Sequence, residues 1–180
     1  MLPTARKFLF VFTGIVVIGA VSFFSGIRFN FTGSEPKGVY RITKISNALS
    51  VGDLVVACPP EMAARLSVER GYVFSAGKCP GGSFPFMKKI VAVPGDRVRV
   101  ADIGIFVNGI LVRNSSPRKV DSRGNPVPGI LGYNKVTSGY WLVSSYSKLS
   151  YDSRYWGAIP AQSIFSYASP VFVFGSGEGD

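Results

Sequence analysis

The sequence predicts a mostly β protein, an antiparallel β-barrel domain carried behind one N-terminal transmembrane helix. Three observations carry that reading. Residues 8–27 (FLFVFTGIVVIGAVSFFSGI) contain no charged side chain, and about 20 such positions let a helix cross about 30 Å of hydrocarbon. Downstream, short apolar or alternating runs of strand length recur between clusters of Gly, Pro, Asn and Ser. Between two of these runs stands Asn108-Gly109, a pair that supplies the positive φ values of a tight type I′ hairpin.

Taken in order, residues 1–7 form a basic N-terminal segment with Arg6 and Lys7, and residues 8–27 form the anchor. A cleaved signal peptide has the same basic start, but its apolar region is about 7–15 residues long. The longer run here points to an anchor that is kept. Arg28, Lys37, Arg41 and Lys44 follow closely, so counting positive charges on either side does not fix the orientation. Residues 28–180 suffice for one domain. Residues 39–42, 54–57, 72–74, 86–93 and 97–100 read as strands. The hairpin arms 105–107 and 110–112 follow, then late strands at 140–144 and 171–174. One soluble helix is expected over residues 60–70 (PEMAARLSVER), opened by Pro60 and closed by Gly71. Residues 114–138, rich in Pro, Gly, Ser and Asn, read as a loop excursion.

The 180 residues include no histidine and two cysteines. Ser-His-Asp and Cys-His catalysis are thereby excluded, as is a zinc centre built on imidazole and thiolate. No metal or cofactor is expected. Cys58 and Cys79 either form a disulfide, which would place the domain in an oxidising compartment, or remain as buried thiols. Twenty Lys and Arg against ten Asp and Glu leave a formal charge of +10. Arg113, Arg118, Lys119, Arg123, Lys135 and Lys148 gather around the excursion. They suit anionic lipid headgroups, where each is worth up to about 1 kcal/mol. No aromatic-basic motif accompanies the charge, so no nucleic-acid partner is expected.

Three segments carry chemistry. Thr32-Gly33-Ser34-Glu35-Pro36-Lys37-Gly38 is a sharp turn just past the apolar run, able to present a hydroxyl. Lys88-Lys89 lies inside the apolar strand 86–93, which ends at Pro94-Gly95-Asp96. Strand alternation puts Phe86, Lys88, Ile90 and Ala92 on one face and Met87, Lys89, Val91 and Val93 on the other. Whichever face is core, one lysine enters an apolar environment, which disfavours its ammonium form. Such a lysine can act as a general base without histidine. Alternation does not choose between the two. The third segment, residues 150–157, includes Asp152 and Arg154 two positions apart, so an extended backbone aims both at one face.

In this order the segments resemble the type I signal peptidase family of Ser–Lys proteases. Lys88-Lys89-Ile90-Val91-Ala92-Val93-Pro94-Gly95-Asp96 and Asp152-Ser153-Arg154-Tyr155-Trp156-Gly157 carry most of the likeness, which spans nearly the whole chain. The resemblance implies a signal-peptidase-like catalytic domain over residues 28–180. It makes Ser34 the nucleophile and Lys88 the general base, with Ser150 orienting that lysine. Thr32 and the Ser34 backbone N–H would form the oxyanion hole, and Asp152 and Arg154 a supporting ion pair.

Two departures narrow the likeness. Glu35 and Pro36 follow the serine where general signal peptidases place Met next and Pro third. The usual Gly-Asp-Asn-Arg stretch is replaced by Ser144-Ser145-Tyr146-Ser147-Lys148-Leu149. Ser34-x-Pro36-x-Gly38-x-Tyr40, together with Cys58-Pro59-Pro60 and Gly77-Lys78-Cys79-Pro80, is similar to the TraF-type peptidases of conjugative transfer systems. That resemblance implies a precursor polypeptide as partner, a pilin subunit foremost, cleaved at the periplasmic face of a bacterial inner membrane and in some such enzymes cyclised. The substrate would lie as an added strand beside Phe84 to Lys88 and near Pro36 to Tyr40, with Phe84, Phe86, Pro36 and Tyr40 in contact. A general secretory peptidase, or an anchored β-domain that only binds a pilus or secretion component, are the alternative readings.

Overall fold

A computed structural model describes residues 4–174. Helix α1 (Thr4–Phe24) is followed by β1 (Ile27–Asn30), β2 (Gly38–Lys44), β3 (Leu54–Ala57) and α2 (Glu61–Glu69). Then come β4 (Phe86–Ala92), β5 (Arg97–Ala101), β6 (Gly104–Val107) and β7 (Ile110–Leu111). The chain ends with β8 (Asn134–Val136), β9 (Trp141–Val143), the one-turn α3 (Ser153–Trp156) and β10 (Ile164–Val173). The antiparallel, mostly β architecture agrees with the sequence. Closure does not: the strands form two open sheets, one six-stranded in the order β1-β2-β10-β3-β4-β9 and one four-stranded in the order β7-β6-β5-β8.

The N-terminal helix begins at Thr4 and stops at Phe24. Residues 27–30, the last of which follow the expected anchor, are strand β1 paired with β2. Among the described residues no helix is long and apolar enough to cross a membrane. Between β1 and β2 the chain makes the turn that carries Ser34. Gly38 closes that turn because a Cβ there would run into the carbonyl oxygen of Phe172 on β10. Pro170 lies where β10 slips register against β2; proline has no N–H to give the ladder, and a bulge accommodates it.

Two apolar clusters hold the sheets. Val55, Ala57, Ile90, Leu142, Ile159 and Ile164 pack on the larger sheet, and Ala92, Val98, Val100, Ile105, Trp141 and Val143 pack between it and the smaller one. Strand β4 feeds both clusters through alternate residues Ile90 and Ala92, so its face is fixed, and Lys88 is on that same face. The Pro94-Gly95-Asp96 turn beyond it is structural. Asp96 accepts from Val93 N at 2.9 Å and from Asn108 Nδ2 at 2.7 Å, tying the turn to the hairpin. That hairpin has Asn108 and Gly109 both at positive φ, as its sequence demanded.

Residues 72–74 are not a strand. Tyr72 donates its hydroxyl to Asp121 Oδ2 at 2.6 Å, Phe74 is exposed, and Ala76 at φ 67° breaks any extension. The expected strand at 171–174 is the end of the longer β10, and residues 134–136 within the excursion form β8. Cys58 and Cys79 are disulfide-bonded with Cα atoms 5.4 Å apart. The bond clamps the ends of the α2 segment, so its 21-residue separation sets the unfolded-state entropy it removes. Cys58→Ser is expected to cost about 3 kcal/mol, measured by urea unfolding of the oxidised chain. A difference below about 1 kcal/mol would show that the clamp is redundant.

Candidate active site

The serine turn is held by a residue that its sequence did not mark. Asn30, at the end of β1, donates its amide to the carbonyls of Glu35 and Pro36, both at 3.0 Å, and to that of Thr32 at 3.3 Å. Its own oxygen accepts from Thr32 N at 3.1 Å and from Thr32 Oγ1 at 2.7 Å. One side chain thus ties three residues around Ser34 through five hydrogen bonds. In the sequence Asn30 belongs only to a formal glycosylation pattern, which gives no hint of this role.

Tyr40 closes the turn from the other end. Its hydroxyl donates to Pro36 O at 2.6 Å, and the side chain is 2% exposed. Tyr40, expected at the substrate, thus has its hydroxyl engaged within the turn, and it also lines the cavity beside Glu35 and Pro36. Pro36 itself remains half-buried beside the serine.

Lys88 is 4% exposed and pairs with Val55 across β3. Its Nζ is 2.7 Å from Ser34 Oγ and also donates to Met87 O at 3.1 Å. The Phe86 ring lies below it, with its centroid 5.5 Å from Nζ. Phe86, also expected at the substrate, is buried and lines the lysine. Burial among apolar groups pulls the Lys88 pKa below its ordinary value; the carboxylates of Asp152 and Glu35 oppose that shift but do not overcome it. Lys89, on the opposite face of β4, has no hydrogen bond to Ser34 among the described residues.

Behind the serine stands a buried ion pair. Arg154 grips Asp152 through two parallel bonds, Nε to Oδ1 at 2.8 Å and a terminal nitrogen to Oδ2 at 2.9 Å, and both side chains are 0% exposed. The arginine's remaining donors reach the carbonyls of Asn114, Lys148 and Ser144 at 2.9, 3.2 and 3.2 Å. Asp152 Oδ2 accepts from Ser144 N at 3.0 Å, and the Ser144 hydroxyl donates to the backbone carbonyl of Ser34. The ion pair is therefore linked to the Ser34 backbone through Ser144. This residue was missed: it lies in a serine-rich stretch far from Ser34 in sequence, and nothing local marks it. It also explains how the site dispenses with the Gly-Asp-Asn-Arg stretch.

Ser150, expected to orient Lys88, is buried, and among the described residues its hydroxyl has no hydrogen-bond partner. Thr32 Oγ1 lies 3.5 Å from Ser34 Oγ, close enough for an oxyanion role, yet its proton is given to Asn30. Phe84 is half exposed at the approach to β4. Next to it, residues 86–88 pair with β3 on one side only, because β9 begins its pairing at Lys89.

A serine hydroxyl bonded to a desolvated lysine on an antiparallel β scaffold, in a chain without histidine, is the arrangement of a serine-peptidase-type enzyme. Comparison with known proteins agrees. The family model described as signal peptidase, peptidase S26, matches residues 4–173, and the chain belongs to that family. It is 41% identical over 163 residues to a probable conjugal transfer protein TraF of Sinorhizobium fredii (strain NBRC 101917 / NGR234), covering 89% of this chain and 85% of that one. It is 39% identical over 165 residues to the conjugal transfer protein TraF of Agrobacterium fabrum (strain C58 / ATCC 33970), covering 91% and 90%. A plasmid transfer protein TraF of Escherichia coli is 36% identical over 162 residues, covering 88% of this chain and 89% of its own.

Proposed function

We propose that this protein is an endopeptidase with a Ser34–Lys88 dyad that matures the precursor of a conjugative pilus subunit. The observation that carries the reading is the 2.7 Å contact between Lys88 Nζ and Ser34 Oγ at a lysine whose burial favours the neutral amine. Neutral Lys88 takes the Ser34 proton, Ser34 attacks the scissile carbonyl, and an acyl-enzyme forms. Protonated Lys88 then returns the proton to the leaving amine. The Ser34 N–H and the Thr32 hydroxyl serve the oxyanion, Thr32 turning from Asn30 to do so. Water or a substrate amine resolves the ester. The substrate adds as a strand to the open edge at residues 86–88, with Phe84 and Pro36 flanking the cut.

The TraF names of the relatives support a role in conjugal transfer, and the departures at Glu35 and Pro36 favour it over general secretion. The uncharged run at residues 8–27 supports tethering in the bacterial inner membrane. The Cys58–Cys79 disulfide supports a periplasmic catalytic domain. The test incubates a pilin precursor from the same transfer system with membranes and with soluble extract from cells producing the full chain, and weighs the products. Cleavage by the membranes alone is expected. No cleavage in either fraction overturns the substrate, and cleavage confined to the soluble fraction overturns the anchor. A product lighter than the linear mature chain by one water marks cyclisation; the linear mass marks hydrolysis.

A further inference from the structure

Glu35 follows the nucleophile directly, yet its side chain is 6% exposed and its Oε1 has no hydrogen-bond partner. A buried carboxyl in that condition is out of place unless its charge has a task, since an unpaired buried anion is strongly disfavoured. The groups around it come from three elements. Lys88 and Lys89 of β4, with Asp152 and Ser144 of the segment behind the serine, act on its charge, and it acts in turn on Tyr40 of β2. Arg154 stands behind Asp152 and acts on Lys88 with the opposite sign to the carboxylates.

We propose that Glu35 is a positioning residue that, when ionised, holds the proton on Lys88 and so sets the pH at which the dyad becomes nucleophilic. The inference rests on the Ser34–Lys88 reading and deepens it. Burial pushes the Glu35 carboxyl up to about 7, with Lys88 and Lys89 pulling it back and Asp152 adding to the rise. Its charge therefore changes within the neutral range. An ionised Glu35 favours the ammonium form of Lys88, and loss of its charge releases that hold. The two sites titrate as a coupled pair, and the base works once Lys88 has lost its proton, which an ionised Glu35 postpones to higher pH. A methionine, which general signal peptidases have here, leaves the lysine to burial, Asp152 and Arg154.

The experiment compares kcat/KM against pH for the full-length wild-type chain, Glu35→Gln, Glu35→Met and Glu35→Asp in detergent or membranes. Both uncharged variants are expected to move the acid limb to lower pH by about one unit, the low end of what a nearby opposite charge does. At the foot of the limb that amounts to about tenfold faster cleavage than wild type. Glu35→Asp, which keeps a carboxyl, is expected to move it less. An unshifted limb in both uncharged variants overturns the proposal, and so does a shift to higher pH. Because activity also depends on the dyad itself, the Lys88 ammonium is titrated independently by NMR of lysine-labelled chain in the Ser34→Ala background, with and without Glu35→Gln. A Lys88 titration that does not move with Glu35→Gln refutes the role of Glu35. Full activity of Ser34→Ala instead refutes the dyad while leaving the titration readable.

Discussion

Lys88→Ala is expected to lower kcat/KM for precursor cleavage by about 10²- to 10⁴-fold, the usual worth of a positioned general base. Ser34→Ala is expected to lose about 10⁴-fold or more, and the double variant no more than Ser34→Ala, because the two groups act as one unit. Lys89→Ala is expected to keep cleaving, since Lys89 is on the other face of β4. The wild-type rate should rise with pH through the depressed Lys88 pKa, because only the free amine takes the serine proton, and the midpoint of the rise should lie below the ordinary value of 10.5. Single-turnover cleavage of a labelled precursor measures each of these. A Lys88→Ala chain as active as wild type, or a Lys89→Ala chain as dead as Ser34→Ala, would sink the assignment of the base.

Arg154→Ala is expected to destabilise the domain by about 3–5 kcal/mol, because it leaves the Asp152 carboxylate buried without its partner. The same change frees the carbonyls of Asn114 and Lys148 and loosens the Ser144 bond to the serine backbone. Activity should therefore fall more steeply than the folded fraction. Replacing both members, Asp152→Leu with Arg154→Met, should recover part of the stability, since an apolar pair of similar volume removes the desolvation cost. It should not recover activity, because Ser144 loses its acceptor. Urea unfolding and cleavage assays on the same preparations separate the two effects. An Arg154→Ala midpoint equal to wild type would show that the pair contributes nothing to the fold.

The local features of this protein were legible in the sequence. Asn108-Gly109 specified its own hairpin, Pro60 and Gly71 bracketed α2, and the strand alternation of residues 86–92 was correct to the residue. What alternation left open, which of Lys88 and Lys89 is buried, depends on where Ile90 and Ala92 find their partners across β3 and β9. Such partners are set by distant chain. Asn30 and Ser144 were invisible for the same reason, since an amide or hydroxyl acquires its role only from the loop that folds against it. Tyr40 and Phe86 show a further limit: an aromatic beside a motif reads as a ligand contact whether it faces outward or into the core, and both are buried here. The closed barrel failed on geometry: short strands with alternating faces are equally compatible with two open sheets.

The placement of β10 sets an order of events for the protein's own biogenesis. Ser34 hangs between β1 and β2, Lys88 is on β4, and only the C-terminal strand joins those two halves of the sheet. While the polypeptide is still being made, its hydroxyl and its amine therefore belong to fragments that no shared sheet yet joins, with only the Ser144 bond to the Ser34 carbonyl between them. The pairing of Ser34 with Lys88 is therefore completed only when the last strand docks between β2 and β3.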